Sequence, residues 1–247
     1  MRFWFRIRDQ TECGPWHRKQ TVQLCYHMSV AWMYFAAIYG YYDLPCKVPT
    51  IVSPKNYAGF WKFLTYWNII VSFLFFAFSC ITDTIQSDRM IKFRDTVFAG
   101  IVFPYGVFVS CMFWGVYAVN RELIFPKELD GKFPAWLNHI SHTIQVPTLL
   151  LEVLIVHHKY PSRKTGFATN MGFGGVYLLW TFYLAFAKDI WVYEFVQDLP
   201  WYGKVIFFPA CLAMQIIIYN VCERVDYYFW RFFPLSRELK RLYGKKV

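Results

Sequence analysis

FWKFLTYWNIIVSFLFFAFSCI, residues 60–81, is the stretch that decides the fold, because it holds no acidic residue and a single basic one, Lys62. A helix that crosses a bilayer needs about 20 consecutive, mostly apolar residues. The stretch therefore predicts a transmembrane helix, and the rest of the sequence shows whether further transmembrane helices are expected.

Five further stretches predict the same kind of helix, at about 22–42, 97–118, 136–156, 170–188 and 204–222. The composition agrees, since 57% of the residues are hydrophobic and 17% are charged, whereas about a quarter are charged in soluble domains. We predict an all-α, polytopic membrane protein whose six transmembrane helices form one bundle. The opening stretch is the second of these spans, at about 60–82, after the first at about 22–42.

The Lys and Arg residues predict the orientation of this bundle. Eighteen lie in the two terminal segments and in the 83–96 and 157–169 loops, whereas eight lie in the intervening segments, 43–62, 119–135 and 188–204. Cytoplasmic segments of membrane proteins are enriched in these residues. The prediction is a cytoplasmic N-terminal segment (1–21), a six-span domain (22–222) and a basic cytoplasmic tail (223–247).

The net charge of +10 does not predict nucleic-acid binding, because the basic residues flank apolar runs and form no base-reading motif. The expected partner is the bilayer itself. No small-residue cleavage site follows the 22–42 run, so that run is interpreted as a signal anchor. We expect a multi-pass protein of the endoplasmic reticulum or the plasma membrane.

Polar residues follow one face of each of two predicted spans. In the second span, Asn68, Ser72 and Ser79 recur three, seven and fourteen positions after Thr65. In the fourth span the polar residues are Asn138, His139, His142 and Gln145. Strongly polar groups inside spans are costly and mark function or buried networks, so the two helices are expected to face a shared interior.

The topology places Thr65 and His142 at a similar depth, roughly 8–9 Å from the non-cytoplasmic surface at 1.5 Å per residue. A threonine hydroxyl attacks a carbonyl only when a neighbouring base activates it, so the pair could form a nucleophile and its base. Two alternatives stay open at this point. The Thr65 hydroxyl could bond the Trp61 carbonyl one turn earlier, and His139 with His142 could belong to a buried network.

Metal binding and anion binding are further possible roles for the polar residues near the non-cytoplasmic surface. The HxxH spacing of His139 and His142 occurs in membrane metal sites, but six histidines in the whole chain are few for such a centre, so no metal or other cofactor is expected. Arg121 suits a substrate carboxylate through its planar guanidinium, or else it forms local ion pairs in a solvated loop.

The sequence resembles a family of membrane proteins at these residues. The matching segments include WKFLT (61–65), NRELIFPK (120–127), WLNH (136–139) and His142-Thr143. They are similar to the androgen-induced and androgen-dependent TFPI-regulating proteins, and the resemblance covers about residues 55–225.

The resemblance implies a membrane-embedded threonine hydrolase for fatty acid esters of hydroxy fatty acids, that is, a carboxylic ester hydrolase with a lipid substrate. The nucleophile then falls on Thr65 and the essential histidine on His142, with Asn138 and His139 as supporting residues. Position 68 is aspartate in one branch of the family and Asn68 here, so a mechanism that needs a carboxylate there is disfavoured. A small-solute channel or transporter and a non-enzymatic regulatory protein are the alternative functions.

Overall fold

The computed structural model describes residues 15–47 and 57–232, and every regular element within these ranges is a helix. The prediction of an all-helical protein is therefore confirmed. The α-helices, in chain order, are α1 Pro15–Lys47, α2 Leu64–Ile85, α3 Asp88–Val97, α4 Phe103–Asn120, α5 Ala135–His142, α6 Gln145–Ile155, α7 Arg163–Lys188, α8 Glu194–Asp198 and α9 Trp201–Phe232.

Within residues 15–47 and 57–232, three helical segments are long and apolar enough to cross a membrane, by length and composition. They are Leu64–Ile85, the continuous segment Asp88–Leu123, and Trp201–Phe232. The 33-residue α1 and the 26-residue α7 coincide with two other predicted spans, but they are more polar. A helical membrane protein is supported, and the count of six crossings stays a prediction.

The fourth predicted span, 136–156, consists of two helices rather than one. Helix α5 ends at His142, where the N–H groups of Thr143 and Ile144 both donate to the His139 carbonyl oxygen, at 2.8 Å each. Pro147 follows in the first turn of α6, and a proline has no N–H to continue the hydrogen bonding. The interruption leaves His142 at the end of a helix.

Helix α9 extends beyond the predicted end of the last span at residue 222 and reaches Phe232, the last residue described at this end. The extension carries a large buried side chain, Trp230, whose indole N–H donates to the Val153 carbonyl at 3.0 Å. Ten residues assigned to the cytoplasmic tail are thus helical, because one of their faces packs against α6.

Between α3 and α4 the chain forms a π-helical turn, Phe98–Val102. Pro104 lacks the N–H that would pair with the Gly100 carbonyl, and the Asn170 side chain of α7 donates to that carbonyl at 2.8 Å instead. Helix α7 comes so close that a Cβ on Gly100 would lie 2.8 Å from the Thr169 side chain. A neighbouring helix thus satisfies the carbonyl that the proline leaves without a backbone partner.

A ring of buried ionisable side chains joins α1, α2, α3, α6 and the α6–α7 connection. We call it the ion-pair ring; it comprises His27, Asp83, Arg94, Asp95, Glu152 and His158. The His27 Nδ1 lies 2.6 Å from Asp83 and its Nε2 3.0 Å from Glu152. The remaining contacts of the ring run from Glu152 to His158 (3.0 Å), from His158 to Asp95 (2.9 Å), from Asp95 to Arg94 (2.9 Å) and back from Arg94 to Asp83 (3.7 Å).

Candidate active site

Thr65 lies in the first turn of α2, at the opposite end of that helix from Asp83 of the ion-pair ring. The 18 intervening residue steps correspond to about 27 Å along the helix axis. Tyr177 of α7 fixes the start of α2, because its hydroxyl accepts from the Leu64 N–H at 3.0 Å and donates to the Lys62 carbonyl at 2.9 Å. Thr65 itself is half-buried, so its hydroxyl is held in place without being sealed in the core.

His142 ends α5 and is buried against Thr65. The Thr65 Oγ1 lies 3.3 Å from the His142 Nε2. The imidazole stacks on the Phe113 ring, with centroids 3.7 Å apart and planes 10° apart. The indole N–H of Trp114 donates to the His142 backbone carbonyl at 3.1 Å. Helix α4 therefore sets both the plane of the imidazole and the position of its backbone.

Asn138 determines which nitrogen of His142 faces Thr65 as an acceptor. The His142 Nδ1 lies 2.8 Å from the Asn138 Oδ1 and 3.2 Å from the Asn138 backbone oxygen. A backbone carbonyl can only accept, so Nδ1 carries the proton and donates. The Nε2 is then free to accept the hydroxyl proton of Thr65, which is the arrangement that general base catalysis requires.

Asn68 and Gln145 form a second layer behind this pair. The Asn68 side chain donates to the Gln145 Oε1 at 2.5 Å, and the Gln145 amide donates to the Ser141 carbonyl. Both amide side chains are buried. They connect the two predicted polar faces directly and tie the start of α6 to α2, and neither contacts Thr65 or His142 through a hydrogen bond described here.

His139 and Arg121 lie outside the Thr65–His142 contact. His139 is exposed, and its Nδ1 is 3.1 Å from the Thr143 hydroxyl. Arg121 pairs with Asp130 at 2.6 Å and donates to the Phe125 carbonyl at 3.2 Å, which is the local ion pairing given above as the alternative for this residue.

The Trp61 carbonyl, the alternative partner of the Thr65 hydroxyl, is occupied by other donors. It accepts from the indoles of Trp67 and Trp180, at 2.7 and 3.0 Å, while the Thr65 hydroxyl faces the His142 imidazole.

A cavity of about 270 Å³ opens beside Thr65 and His142. Its walls come from α1, α2, α4, α5, α7, α8 and α9, from the segment before α2 and from the connections after α4 and α7, and they are mostly aromatic and aliphatic. No Asp, Glu, Lys or Arg lines it among the residues that the structure describes. The site can therefore bury an uncharged lipid segment next to a hydroxyl–imidazole pair.

Several residues that shape this site were not singled out from the sequence. Phe113 and Tyr177 are aromatic residues among many, and nothing in their spacing marks them. The ion-pair ring at the other end of α2 was not singled out either, although His27, Asp83 and His158 are ionisable groups inside or beside apolar runs. Across 15–47 and 57–232, no three His, Cys, Asp or Glu side chains are arranged to hold a metal ion.

Comparison with known proteins gives one family and several relatives. A sequence model of the family described as FAR-17a/AIG1-like protein matches residues 22–226. The chain is 33% identical to the androgen-induced gene 1 protein of Homo sapiens over 211 residues, which cover 79% of this chain and 89% of that protein. It is 32% identical to the androgen-dependent TFPI-regulating protein of Mesocricetus auratus over 218 residues, 85% of this chain and 94% of that protein.

A more distant relative is a UPF0641 membrane protein of Schizosaccharomyces pombe, 20% identical over 175 residues that cover 70% of this chain and 78% of that protein. No solved structure matches the chain.

Proposed function

This chain belongs to the FAR-17a/AIG1-like family of membrane proteins, and we propose that its activity is that of a membrane-embedded carboxylic ester hydrolase. The substrates we propose are fatty acid esters of hydroxy fatty acids, the class implied by the resemblance described above. The observation that carries the proposal is the 3.3 Å contact between the Thr65 Oγ1 and the His142 Nε2, at the wall of an apolar cavity.

In the proposed reaction the Thr65 hydroxyl attacks the ester carbonyl carbon, and the His142 Nε2 takes its proton. The tetrahedral intermediate collapses, the imidazolium returns the proton to the leaving alkoxide oxygen, and the hydroxy fatty acid departs. Water then attacks the threonyl ester with His142 again as base, and the fatty acid leaves while the Thr65 hydroxyl is restored. Each proton passes through Nε2, which the Asn138 contacts keep free as an acceptor.

The negative oxygen of the intermediate needs hydrogen-bond donors close to Thr65. Within the first turn of α2 the backbone N–H of Thr65 is the candidate, because the Leu64 N–H donates to the Tyr177 hydroxyl and the N–H groups of Tyr66 and Trp67 donate to the Phe63 carbonyl. The helix dipole at this end also favours negative charge. Asn138 is a weaker choice, because its amide oxygen faces the imidazole at 2.8 Å. An ester that diffuses within the bilayer could enter such a site sideways.

The proposal includes the topology and location of the protein. Six crossings with both termini in the cytoplasm would place Thr65 and His142 near the non-cytoplasmic surface of the endoplasmic reticulum or plasma membrane. The charge distribution described above supports this orientation.

The test is hydrolysis of a fatty acid ester of a hydroxy fatty acid by purified protein in lipid nanodiscs. We expect Thr65→Ala and His142→Ala each to lower kcat/KM by at least about 10³-fold, as loss of a nucleophile or its base does in serine hydrolases. Thr84→Ala is the matched control, because that threonine lies in the same helix but is exposed and bonds its own helix at Cys80.

A lipid fluorophosphonate separates this mechanism from the alternatives. The Thr65 oxygen should displace fluoride from phosphorus and form a stable phosphonate ester, detected by peptide mass spectrometry at that residue. Normal turnover by Thr65→Ala would exclude Thr65 as the nucleophile, whereas no turnover and no labelling of the wild type would favour a channel or a regulatory protein.

A further inference from the structure

Gln215 of α9 is a buried polar residue that the reaction above does not use. Its side chain lines the cavity beside Thr65 and His142 and is only 3% exposed. Its Nε2 and Oε1 have no hydrogen-bond partner among the described residues. A buried amide without partners costs free energy, so an amide in this apolar wall points to a ligand that completes the hydrogen bonds.

The other polar side chains of the cavity wall differ from Gln215 in this respect. Tyr105 donates to the Asn170 carbonyl at 2.9 Å, Thr181 donates to the Leu178 carbonyl at 2.8 Å, and the Tyr177 hydroxyl is engaged at the start of α2. Of all the cavity-lining side chains described, Gln215 is the one with buried polar atoms left unpaired.

The charge of the cavity limits what Gln215 can bind. No Lys or Arg lines the described cavity wall, and a buried carboxylate without a cationic partner is strongly disfavoured. A primary amide donates through nitrogen and accepts through oxygen. Its best partner is a neutral group that does both, which means a hydroxyl or a carboxylic acid in its protonated form.

We propose that Gln215 is a specificity-determining residue that binds an uncharged hydroxyl or carboxylic acid group carried by the lipid whose ester lies at Thr65. The cavity then prefers esters with a second oxygen function at a fixed distance from the ester over esters of plain chains. This inference rests on the proposed hydrolase function and adds to it the recognition of a second polar group.

The experiment compares esters of one chain length. One ester carries no second polar group, and the others carry either a hydroxyl or a carboxyl at successive chain positions. In the wild type we expect kcat/KM to rise by about tenfold over the plain ester at one position, as one hydrogen-bonding group of about 1.4 kcal/mol would give. Gln215→Met, of similar length but without the amide, should bring the ratio of kcat/KM between the oxygenated ester and the plain ester close to one. The carboxyl ester should lose its advantage as pH rises and its acid ionises, whereas the hydroxyl ester should keep it.

The matched control is Asn220→Leu, which removes an amide of the same helix that does not line the cavity. The Asn220 side chain donates to the Ile216 carbonyl and accepts from Arg163 of α7. This variant should keep the wild-type ratio. Gln215→Leu serves as a second variant, and thermal unfolding in detergent identifies any variant that fails to fold. An identical ratio in the wild type and in a folded Gln215 variant would overturn the inference.

A binding measurement keeps this inference separate from the hydrolase proposal. In Thr65→Ala protein, methyl esters with and without the second oxygen group would compete with a fluorescent fatty acid for the cavity. Preference for the oxygenated ester that Gln215→Met abolishes would support the role of Gln215 even if wild-type protein hydrolysed nothing. Hydrolysis of all esters at equal kcat/KM would leave the hydrolase proposal intact and would contradict the proposed role of Gln215.

Discussion

At the scale of single residues, three contacts orient His142. Phe113 fixes its plane, Trp114 holds its carbonyl, and Asn138 accepts from its Nδ1. Fixed orientation matters for a proton acceptor, because an imidazole that turns over would present a donor to the nucleophile. Asn138 is thus a positioning residue in the proposed reaction, since it acts through His142 and does not touch the reacting atoms.

Asn138→Ala is expected to lower kcat by about 10- to 100-fold with a small change in KM, because the Asn138 backbone carbonyl still accepts from Nδ1 at 3.2 Å. This loss is smaller than that for Thr65→Ala, which removes the nucleophile. Asn138→Asp keeps the acceptor and adds a negative charge beside the imidazole, so the acidic limb of the pH–rate profile should move to higher pH. Steady-state kinetics across pH measure both effects, and an Asn138→Ala profile identical to the wild type would rule out the positioning role.

At the scale of helices, proline and glycine decide how closely the elements pack. The π-helical turn 98–102 permits Pro104 inside a long helix because Asn170 takes over the Gly100 carbonyl. The same turn brings α7 against Gly100, where a side chain would collide with Thr169. Helix α7 also supplies Tyr177 at the start of α2, so this packing affects the position of Thr65.

Gly100→Ala is expected to lower the free energy of unfolding by about 1–3 kcal/mol, because the new Cβ overpacks the contact between the π-helical turn and α7. Gly115→Ala in the same helix is the matched control, since a Cβ there meets nothing within 4 Å. It should be neutral or stabilising by up to about 1 kcal/mol, through the higher helix propensity of alanine. Unfolding of both variants in detergent gives the comparison, and equal effects would contradict the close-packing argument.

At the scale of the whole molecule, two polar centres lie at opposite ends of α2. The ion-pair ring sets three carboxylates against one guanidinium and two imidazoles, so its charges balance when both imidazoles are protonated. Burial by itself lowers the pKa of His158, but the hydrogen bonds and negative charges of Asp95 and Glu152 raise it above its ordinary value. Since His158 lies in the α6–α7 connection, its charge helps to hold that connection to α3 and α6.

This raised pKa gives the sign of a pH effect on stability. Protonation of His158 stabilises the fold fully below the unfolded pKa of about 6.5, and the contribution is lost as pH rises through the folded pKa. We expect the melting temperature of the wild type to fall with rising pH above about 6.5. The carboxylates of Asp95 and Glu152 favour the protonated imidazolium of His158 over its neutral form.

His158→Gln should be less stable than the wild type at pH 6, by about 3–5 kcal/mol, because it removes one buried positive charge from the ring. Asp95 then has only Arg94, and Glu152 only His27, as its cationic partner in the ring. The variant should also have a flatter dependence of melting temperature on pH. Parallel curves for the two proteins would show that His158 does not carry the effect.

The proposed six-span topology predicts that epitopes at both termini face the cytoplasm. They should bind antibody in cells whose plasma membrane alone is permeabilised, and a glycosylation acceptor inserted in the 119–135 loop should be modified. Termini found on opposite sides would require an odd number of crossings and would exclude the six-span arrangement.

The sequence by itself determined the helical membrane class and family, because apolar runs, charge distribution and short motifs are properties of neighbouring residues. It also marked Thr65, His142 and Asn138 as polar groups on two helix faces, although their catalytic roles remain predictions. The break between α5 and α6 was missed although Pro147 lies beside it, and the continuation of α9 was missed because it depends on the packing of Trp230 against α6.

Only the tertiary structure decided which polar groups meet. It brings Thr65 to His142 across 77 positions of sequence and Glu152 to His27 across 125, and it leaves His139 exposed and Arg121 paired with Asp130. It also turns Gln215 toward the cavity without a partner. The physical reason is that burial and hydrogen bonding at these sites depend on the packing of several helices, whereas periodicity within one helix specifies only the face on which a residue lies.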